Sequence, residues 1–306
     1  MKTQNRHVLA LLAFAGVVAV AALAAAGAQA GGGPSLNARA ASGIVWTHGE
    51  SAVHSQKPQS PNLIYHGGPV QTGTTQVYPI YWGSSWGSSP GDKITGIDGF
   101  YSAVGGSNYA VTNTEYTDGS AHHVSASVTF VSHVVDTSGA PTNSPSTGTV
   151  LAEVAKEFPN PTAGAYYPVY IDQPRGHAGY CAWHSSGTIN GIEVQFGFFF
   201  RLDGDAGCDP ESPNTSQSEG LAALGNVSGH ELSEMLTDPQ LNAWYDSKGA
   251  ENADKCAWTF GSQLSKFGKT SWKIQGNWSN SAYTANKGYT DASAGFVRGC
   301  IDGTNA

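Results

Sequence analysis

The sequence has few charged residues and no basic run. Charged side chains make up 12% of its 306 residues, and the formal net charge is −8. Proteins that bind nucleic acid or an anionic membrane use clusters of Lys and Arg against the phosphate groups. The scarcity of positive charge therefore argues against both kinds of partner.

Cysteine is also scarce, with four residues in the chain. No two of them lie close together in sequence, which argues against a zinc ribbon and against a redox motif. In an exported protein an even number of cysteines indicates disulfides, and four cysteines allow three connectivities. We favour Cys181–Cys208 and Cys256–Cys300, because each pair closes a local loop.

Long apolar runs are absent except near the start of the chain. Lys2 and Arg6 precede an apolar run at residues 8–26, and the small-x-small sequence AQA follows at 28–30. This order is typical of a secretory signal peptide. The alternative is a membrane anchor, since a span needs about twenty apolar residues. We expect removal of residues 1–30 and a secreted, extracellular protein that has no membrane contact after cleavage.

The remainder of the chain shows no internal repeat. Residues 31–60 lack periodicity, are rich in Gly, Pro and Ser, and are predicted to be a flexible linker. Residues 61–306 are predicted to form one α+β domain with a mixed sheet, three main helices and an irregular C-terminal subdomain. Strand patterns occupy 63–70, 75–83, 122–135, 165–172 and 192–200, and a hairpin is predicted between the first two. Helical patterns occupy 88–106, 146–158 and 216–236.

The segment GHELSEMLTDP, residues 229–239, carries the main candidate chemistry. Residues four apart share one face of a helix, so His230 and Glu234 can grip one metal ion. In the related pattern H-E-x-x-H the residue after the first histidine, here Glu231, is the general base. A glutamate stands here in place of the second histidine. The alternative is an ordinary helix with a capping or salt-linked pair.

A third protein ligand has to come from another segment, because a catalytic zinc usually has three. The acidic segment 243–256 follows the helix, and Glu251 is the first choice there, with Asp254 the second. Asp246 is expected only to support a turn. A solvated loop, or a calcium site of hard oxygens, is the alternative. One histidine with two carboxylates leaves a zinc site formally neutral, which favours a weaker hydrolase, another divalent metal such as manganese or calcium, or a non-catalytic site.

A second histidine-bearing segment is RGHAGYCAWHSSG, residues 175–187. The pattern predicts a loop exposed to a cleft, in which His184 would bind substrate or stabilise an oxyanion; the alternative is local hydrogen bonding. No nucleophile elbow, phosphate loop or dinucleotide fingerprint occurs. A glycosidase with Glu231 and Asp254 across a cleft is a minor alternative.

Several segments together resemble the EXORDIUM, or phosphate-induced protein, family of secreted proteins. They are LIYHGGPV with VYPIYWGSSW, GYCAWHSSG, and GHELSEMLTDPQLNAWYDSKGAENADKC. The resemblance covers most of residues 62–302, and the last segment is its most specific part. It implies a secreted single domain that is linked, in plants, to cell-wall growth, without a settled enzymatic activity.

The last segment is also similar to zincin-type helices, in which an acidic ligand follows the His-Glu pair about twenty positions later. This similarity implies a zincin-like domain with His230, Glu234 and Glu251 as metal ligands and Glu231 as the base. We therefore expect a secreted zinc-dependent hydrolase, peptidase-like in type, that acts on an extracellular peptide or cell-wall polymer. The rival expectation is a non-catalytic glycan-binding protein with a structural metal site.

Overall fold

The computed structural model describes residues 33–50, 61–211, 216–291 and 295–304. The predicted signal peptide and residues 51–60 of the predicted linker lie outside these ranges. The described residues from Pro34 onward belong to one compact unit. No helix within them combines the length and the apolar character needed to cross a membrane.

The described part of the chain is a mixed α+β structure with few helices. In chain order its strands are β1 (Leu36–Ala38), β2 (Ser42–Trp46), β3 (Ile64–Tyr65), β4 (Thr75–Val77), β5 (Ile80–Trp82), β6 (Val128–Phe130), β7 (Val134–Asp136), β8 (Tyr166–Pro174), β9 (Tyr180–Ile189), β10 (Ile192–Arg201), β11 (Trp244–Tyr245), β12 (Ser265–Phe267), β13 (Thr270–Trp272), β14 (Asn277–Trp278) and β15 (Cys300–Ile301). Its α-helices are α1 (Lys93–Val104), α2 (Asn108–Val111), α3 (Thr147–Glu157), α4 (Glu219–Thr237) and α5 (Asn280–Thr284).

Nine strands form the main sheet, and their pairing is mixed. The central strand β10 pairs in parallel with β8 and antiparallel with β9. Beyond β8, strands β4 and β5 pair with it in parallel and lead to β6 and β7. On the other side, β1 and β2 pair antiparallel with the outer edge of β9. The predicted mixed sheet is therefore confirmed.

The helices α3 and α4 cover opposite faces of this sheet. Side chains alternate between the faces along a strand. In β9, His184 faces Glu234 of α4, whereas a side chain at Gly187 would meet Leu151 of α3. Because both faces are covered, β8, β9 and β10 are buried almost along their whole length.

The three predicted main helices form close to their expected positions. Ser146 and Ser218 cap α3 and α4 by accepting hydrogen bonds from the backbone N–H groups of Thr149 and Leu221. The helix α4 is buried from Gly220 to Thr237. Acidic and imidazole side chains in so buried a helix need partners or a bound cation, which marks this helix as the place of the site.

Several strands differ from the prediction. Of residues 63–70 only β3 is a strand, and it pairs with β11 rather than with β4, so the predicted hairpin is wrong. Pro79 interrupts residues 75–83 between β4 and β5, because proline has no N–H for a strand ladder. The predicted strand 122–135 is reduced to β6 and β7.

The predicted linker is wrong for residues 36–46, which form β1 and β2 of the main sheet. In β2, buried and partly buried residues alternate, as they do in a half-covered edge strand. The partner edge of β9 supplies the pairing, and that partner lies more than 130 residues further along the chain. Local composition therefore did not reveal these strands.

The C-terminal part has the short strands that were expected, since β12 pairs with β13 and β14 with β15. It lies in the same compact unit as the main sheet. The favoured disulfides, Cys181–Cys208 and Cys256–Cys300, are both present, so that prediction is confirmed.

Candidate metal centre

Six predicted site residues converge at α4 from three parts of the chain. The helix carries His230, Glu231 and Glu234, β9 carries His184, and the segment after β11 carries Glu251 and Asp254. The side chains of Glu251 and of the four residues on α4 and β9 are at most 1% exposed, and Asp254 is the partly exposed member at 21%. The structure therefore brings every candidate residue into one cluster, which is buried except at Asp254.

Glu234 divides this cluster into two groups, one at each carboxylate oxygen. In the first group, Oε2 of Glu234 lies 3.7 Å from Nε2 of His184, and that nitrogen lies 3.3 Å from Oε2 of Glu251. None of these three buried atoms has a hydrogen-bond partner among the described residues. Buried polar atoms are nearly always partnered in native proteins, so three unpartnered ones that converge could hold a metal ion.

The second group uses the other oxygen of Glu234 and also has the composition of a metal site. Nε2 of His230 lies 3.0 Å from Oε1 of Glu234 and 3.5 Å from Oδ1 of Asp254. Oε1 also accepts a hydrogen bond of 2.9 Å from the backbone N–H of Asp254. This oxygen is therefore already partnered by the protein.

Gln275 determines which ring nitrogen of His230 holds a proton. The amide of Gln275 is oriented by two other bonds, in which Nε2 donates to the carbonyl of Ala253 (2.9 Å) and Oε1 accepts from the backbone N–H of Trp258 (3.3 Å). Its Nε2 lies 2.8 Å from Nδ1 of His230, which must then accept. The proton of the neutral ring is on Nε2, which faces Glu234 and Asp254.

The pKa of His230 reflects the carboxylates around it. Burial lowers this pKa, but the carboxylates of Glu234 and Asp254 outweigh burial and raise it well above the ordinary value. Nε2 of His230 has no hydrogen-bond partner among the described residues. The first group nevertheless differs from the second, because all three of its facing atoms are unpartnered, whereas Oε1 of Glu234 already accepts from Asp254.

In the first group, burial raises the pKa values of the two carboxyl groups, and a bound cation would relieve this effect. Burial, followed by repulsion from Asp254, raises the pKa of Glu234 to about 8. Burial likewise raises the pKa of Glu251 well above its ordinary value and lowers the pKa of His184, which favours neutral imidazole. Neutral imidazole and ionised carboxylate are the forms that bind metal, and a divalent cation would offset the repulsion between the carboxylates.

Glu231 lies beside the two groups without belonging to either. Both of its carboxylate oxygens are buried and lack a hydrogen-bond partner among the described residues. Burial raises the pKa of this carboxyl well above its ordinary value. Its charge acts, together with burial, to raise the pKa values of Tyr101 and Tyr166.

The predicted setting of His184 is wrong, because the residue lies in β9 and is fully buried instead of facing a cleft from a loop. Since β9 is buried on both faces, its sequence lacks the alternation that would have identified a strand. Asp246 supports a turn, because its Oδ1 accepts from the backbone N–H groups of Lys248 and Ala250, but it also pairs with the buried Lys255 at 3.3 Å.

Three residues near the site were not predicted from the sequence. Ser42 donates a hydrogen bond of 2.6 Å to Oε1 of Glu251, Gly43 lies against Glu234 and His184, and Gln275 contacts His230. The first two fall in the predicted linker, and a lone glutamine carries no sequence signal. Their roles follow only from the tertiary structure.

A third acidic group, formed by Asp136, Glu153 and Glu157, is of a different kind. Nζ of Lys156 lies between the three carboxylates, at 2.5, 3.3 and 3.2 Å from them respectively. The lysine already supplies the positive charge that a metal would bring. This group therefore serves as a comparison for the buried cluster.

Comparisons with protein-family models, with curated proteins and with solved structures find no match for this chain. The geometry defines a mixed α+β protein in which buried His, Glu and Asp groups could hold a metal ion. The resemblance to the EXORDIUM family stays a prediction.

Proposed function

We propose that this chain is a secreted, metal-dependent hydrolase, peptidase-like in type, that acts on an extracellular peptide or a cell-wall polymer. The observation that carries the proposal is the convergence of three buried, unpartnered ligand atoms, from His184, Glu234 and Glu251, beside the carboxyl group of Glu231. The two disulfides are consistent with an extracellular protein. The EXORDIUM resemblance points to the same extracellular location, and Glu231 stands on α4 at the position where zincin-type helices carry their base.

In this proposal His184, Glu234 and Glu251 hold the ion, and His230 lies with Nε2 3.0 Å from the other oxygen of Glu234. One imidazole and two carboxylates match zinc, and their hard oxygens also suit manganese or calcium. The bound ion would supply Lewis-acid polarisation of a substrate carbonyl and of water. Asp254 positions Glu234 through its backbone N–H group.

Glu231 has the role of general base in this proposal. A carboxyl group whose pKa is raised by burial is a better proton acceptor than an ordinary, acidic one. Its oxygens have no competing hydrogen-bond donor among the described residues. Glu231 can therefore take the proton of an attacking water and pass it to the leaving group.

A second candidate function is a non-catalytic extracellular binding protein with a structural metal ion. The burial of His184, Glu234 and Glu251 favours it, because structural metal sites are closed whereas catalytic sites keep an open position. The two candidates share the ion and differ in whether hydrolysis occurs.

The first test is the metal content of the purified protein, measured by elemental mass spectrometry. We expect about one zinc, or another divalent ion, per chain in the wild type, as a three-ligand site implies. The variants His184→Ala and Glu251→Gln should lose the ion, because each removes a ligand atom of the first group. Asp254→Asn should keep it, since the backbone N–H of residue 254 remains.

The matched control for this test is Glu157→Gln, which alters the acidic group around Lys156 and should leave the metal content unchanged. A well-folded wild type without any divalent ion would remove the basis for the hydrolase. Loss of the ion in Asp254→Asn but not in Glu251→Gln would move the site to the His230 side of Glu234.

A further inference from the structure

The outer edge of β9, above the metal centre, is covered by the chain's own segment 36–46. The strand β1 pairs with residues 187–189, and β2 pairs with His184, Ala182 and Tyr180. Both run antiparallel to β9. Together they lie along this edge as an extended peptide added to a sheet would lie.

This segment contacts the proposed ligands at two consecutive residues. Oγ of Ser42 donates to Oε1 of Glu251 at 2.6 Å. At Gly43, which has a φ of +52°, a Cβ atom would lie 1.8 Å from Oε2 of Glu234 and 2.5 Å from Nε2 of His184. The backbone of Gly43 therefore lies directly on the ligand atoms and covers them on the side of the β9 edge.

The strand β2 is held less regularly than the inner strands. Its register with β9 shifts twice between Ser42 and Trp46. Only Gly43 and Val45 of its five residues are buried, although the carbonyl of Trp46 also accepts a hydrogen bond from Trp258. Edge strands with one partner are the places where sheets exchange or add a chain.

We propose that the β9 edge is a binding site for an extended polypeptide and that Ser42–Trp46 occupies it in cis, so that the chain blocks its own metal centre until this segment is displaced. The catalytic meaning of this inference rests on the proposed function. The recognition that β9 offers consists of backbone N–H and C=O groups, which match a polypeptide and not a glycan. The inference thus selects an extended peptide from the two substrate classes considered above.

The test cuts the chain after the segment 36–46, so that the segment is still present but is no longer covalently joined to the rest of the protein. A recognition sequence for a site-specific protease is inserted within residues 51–60, and the folded protein is cut there. A fluorescent peptide that copies residues 34–50 is then added, and its binding is followed by anisotropy. We expect the peptide to exchange into the cut protein and not into the uncut protein.

Peptide variants show whether the contact at Gly43 governs this exchange. A peptide with Gly43→Val should bind more weakly by roughly tenfold or more, because its side chain meets Glu234 and His184. The matched control is Gly49→Val, since a Cβ at Gly49 has no atom within 4 Å. Equal binding of the two variants, or no exchange after the cut, would overturn the inference.

The same cut protein gives a second readout in the rate at which zinc passes to the chelator 4-(2-pyridylazo)resorcinol. This rate should rise about tenfold or more on cutting and fall again when the peptide is added. Selective peptide exchange in a protein without metal or hydrolysis would uphold the peptide site and defeat the hydrolase. If the metal content and the rate of hydrolysis are equal before and after the cut and no peptide exchanges, this inference is wrong and the proposed function stands.

Discussion

At the scale of single residues, Glu234 is the centre of the site because each of its oxygens has a different role. Oε1 accepts a hydrogen bond from the backbone N–H of Asp254, and Oε2 accepts none from the described residues. A carboxylate held from one side and open on the other is typical of a metal ligand with a supporting partner. In the proposed function His184 is therefore the ligand that faces the open oxygen, and the backbone N–H of Asp254 supplies the support.

Glu231 gives the prediction that belongs to this scale. Glu231→Gln should lower the rate of peptide hydrolysis by about 10²–10⁴-fold, because the amide cannot accept the proton. The metal content should stay the same, because Gln has nearly the same volume as Glu. The melting temperature should stay the same or rise, because the substitution removes a buried, unpartnered carboxyl group. Hydrolysis is measured with a quenched fluorescent peptide library on protein that has been cut within residues 51–60, so that Ser42–Trp46 can be displaced.

The control for Glu231→Gln is His184→Ala, which should lose metal and activity together. An unchanged rate in Glu231→Gln, with metal present, would exclude Glu231 from the mechanism. A loss of metal in this variant would instead show that Glu231 is a ligand.

At the scale of elements, what could be predicted depended on whether the signal was local. The helix α4 was predictable because its cap, apolar periodicity and the following Pro239 all lie within one short segment. The pairing of β1 and β2 with β9 was not, because it joins residues far apart in sequence. The same reason explains why His230, Glu231 and Glu234 were identified together as site residues, whereas Ser42 and Gly43 were missed.

The two disulfides fix segments that carry ligands. Cys181 lies three residues before His184 in β9, and Cys256 lies two residues after Asp254. The bridges close separations of 27 and 44 residues, respectively. They therefore tie both sides of the candidate metal centre to the body of the protein.

The prediction at the scale of elements concerns removal of the disulfide Cys256–Cys300. Cys256→Ala with Cys300→Ala should lower the free energy of unfolding by about 3–4 kcal/mol, as the loop-closure relation gives for such a separation. It should also weaken metal binding, because Glu251 and Asp254 lose their anchor. Urea unfolding and competition with a zinc indicator measure the two effects.

Removal of the first bridge, by Cys181→Ala with Cys208→Ala, is the matched comparison. Its expected cost is slightly smaller, because the closed loop is shorter. A loss below about 1 kcal/mol for either pair would contradict the stabilising role given to that bridge.

At the scale of the whole molecule, the candidate centre joins segments that are far apart in sequence. The edge strand β2, the inner strand β9, the helix α4 and the segment around Glu251 all contribute residues to it. Without a cation, these contacts place several carboxyl groups together in a buried space, and their pKa values rise for that reason. A bound ion therefore stabilises the tertiary arrangement as well as the local site.

This linkage predicts the effect of metal removal on the stability of the whole chain. An ion that binds only the folded state adds about 4 kcal/mol when its free concentration is a thousand times the dissociation constant. For a chain of this size that corresponds to a rise in melting temperature on the order of 10 °C. Differential scanning calorimetry, with zinc and then with excess chelator, measures the difference. The variant His184→Ala should melt at one temperature in both buffers, because it has lost a ligand and not the fold. Equal melting temperatures for the wild type in the two buffers would mean that the buried carboxyl groups are accommodated as neutral acids, with no ion at the centre.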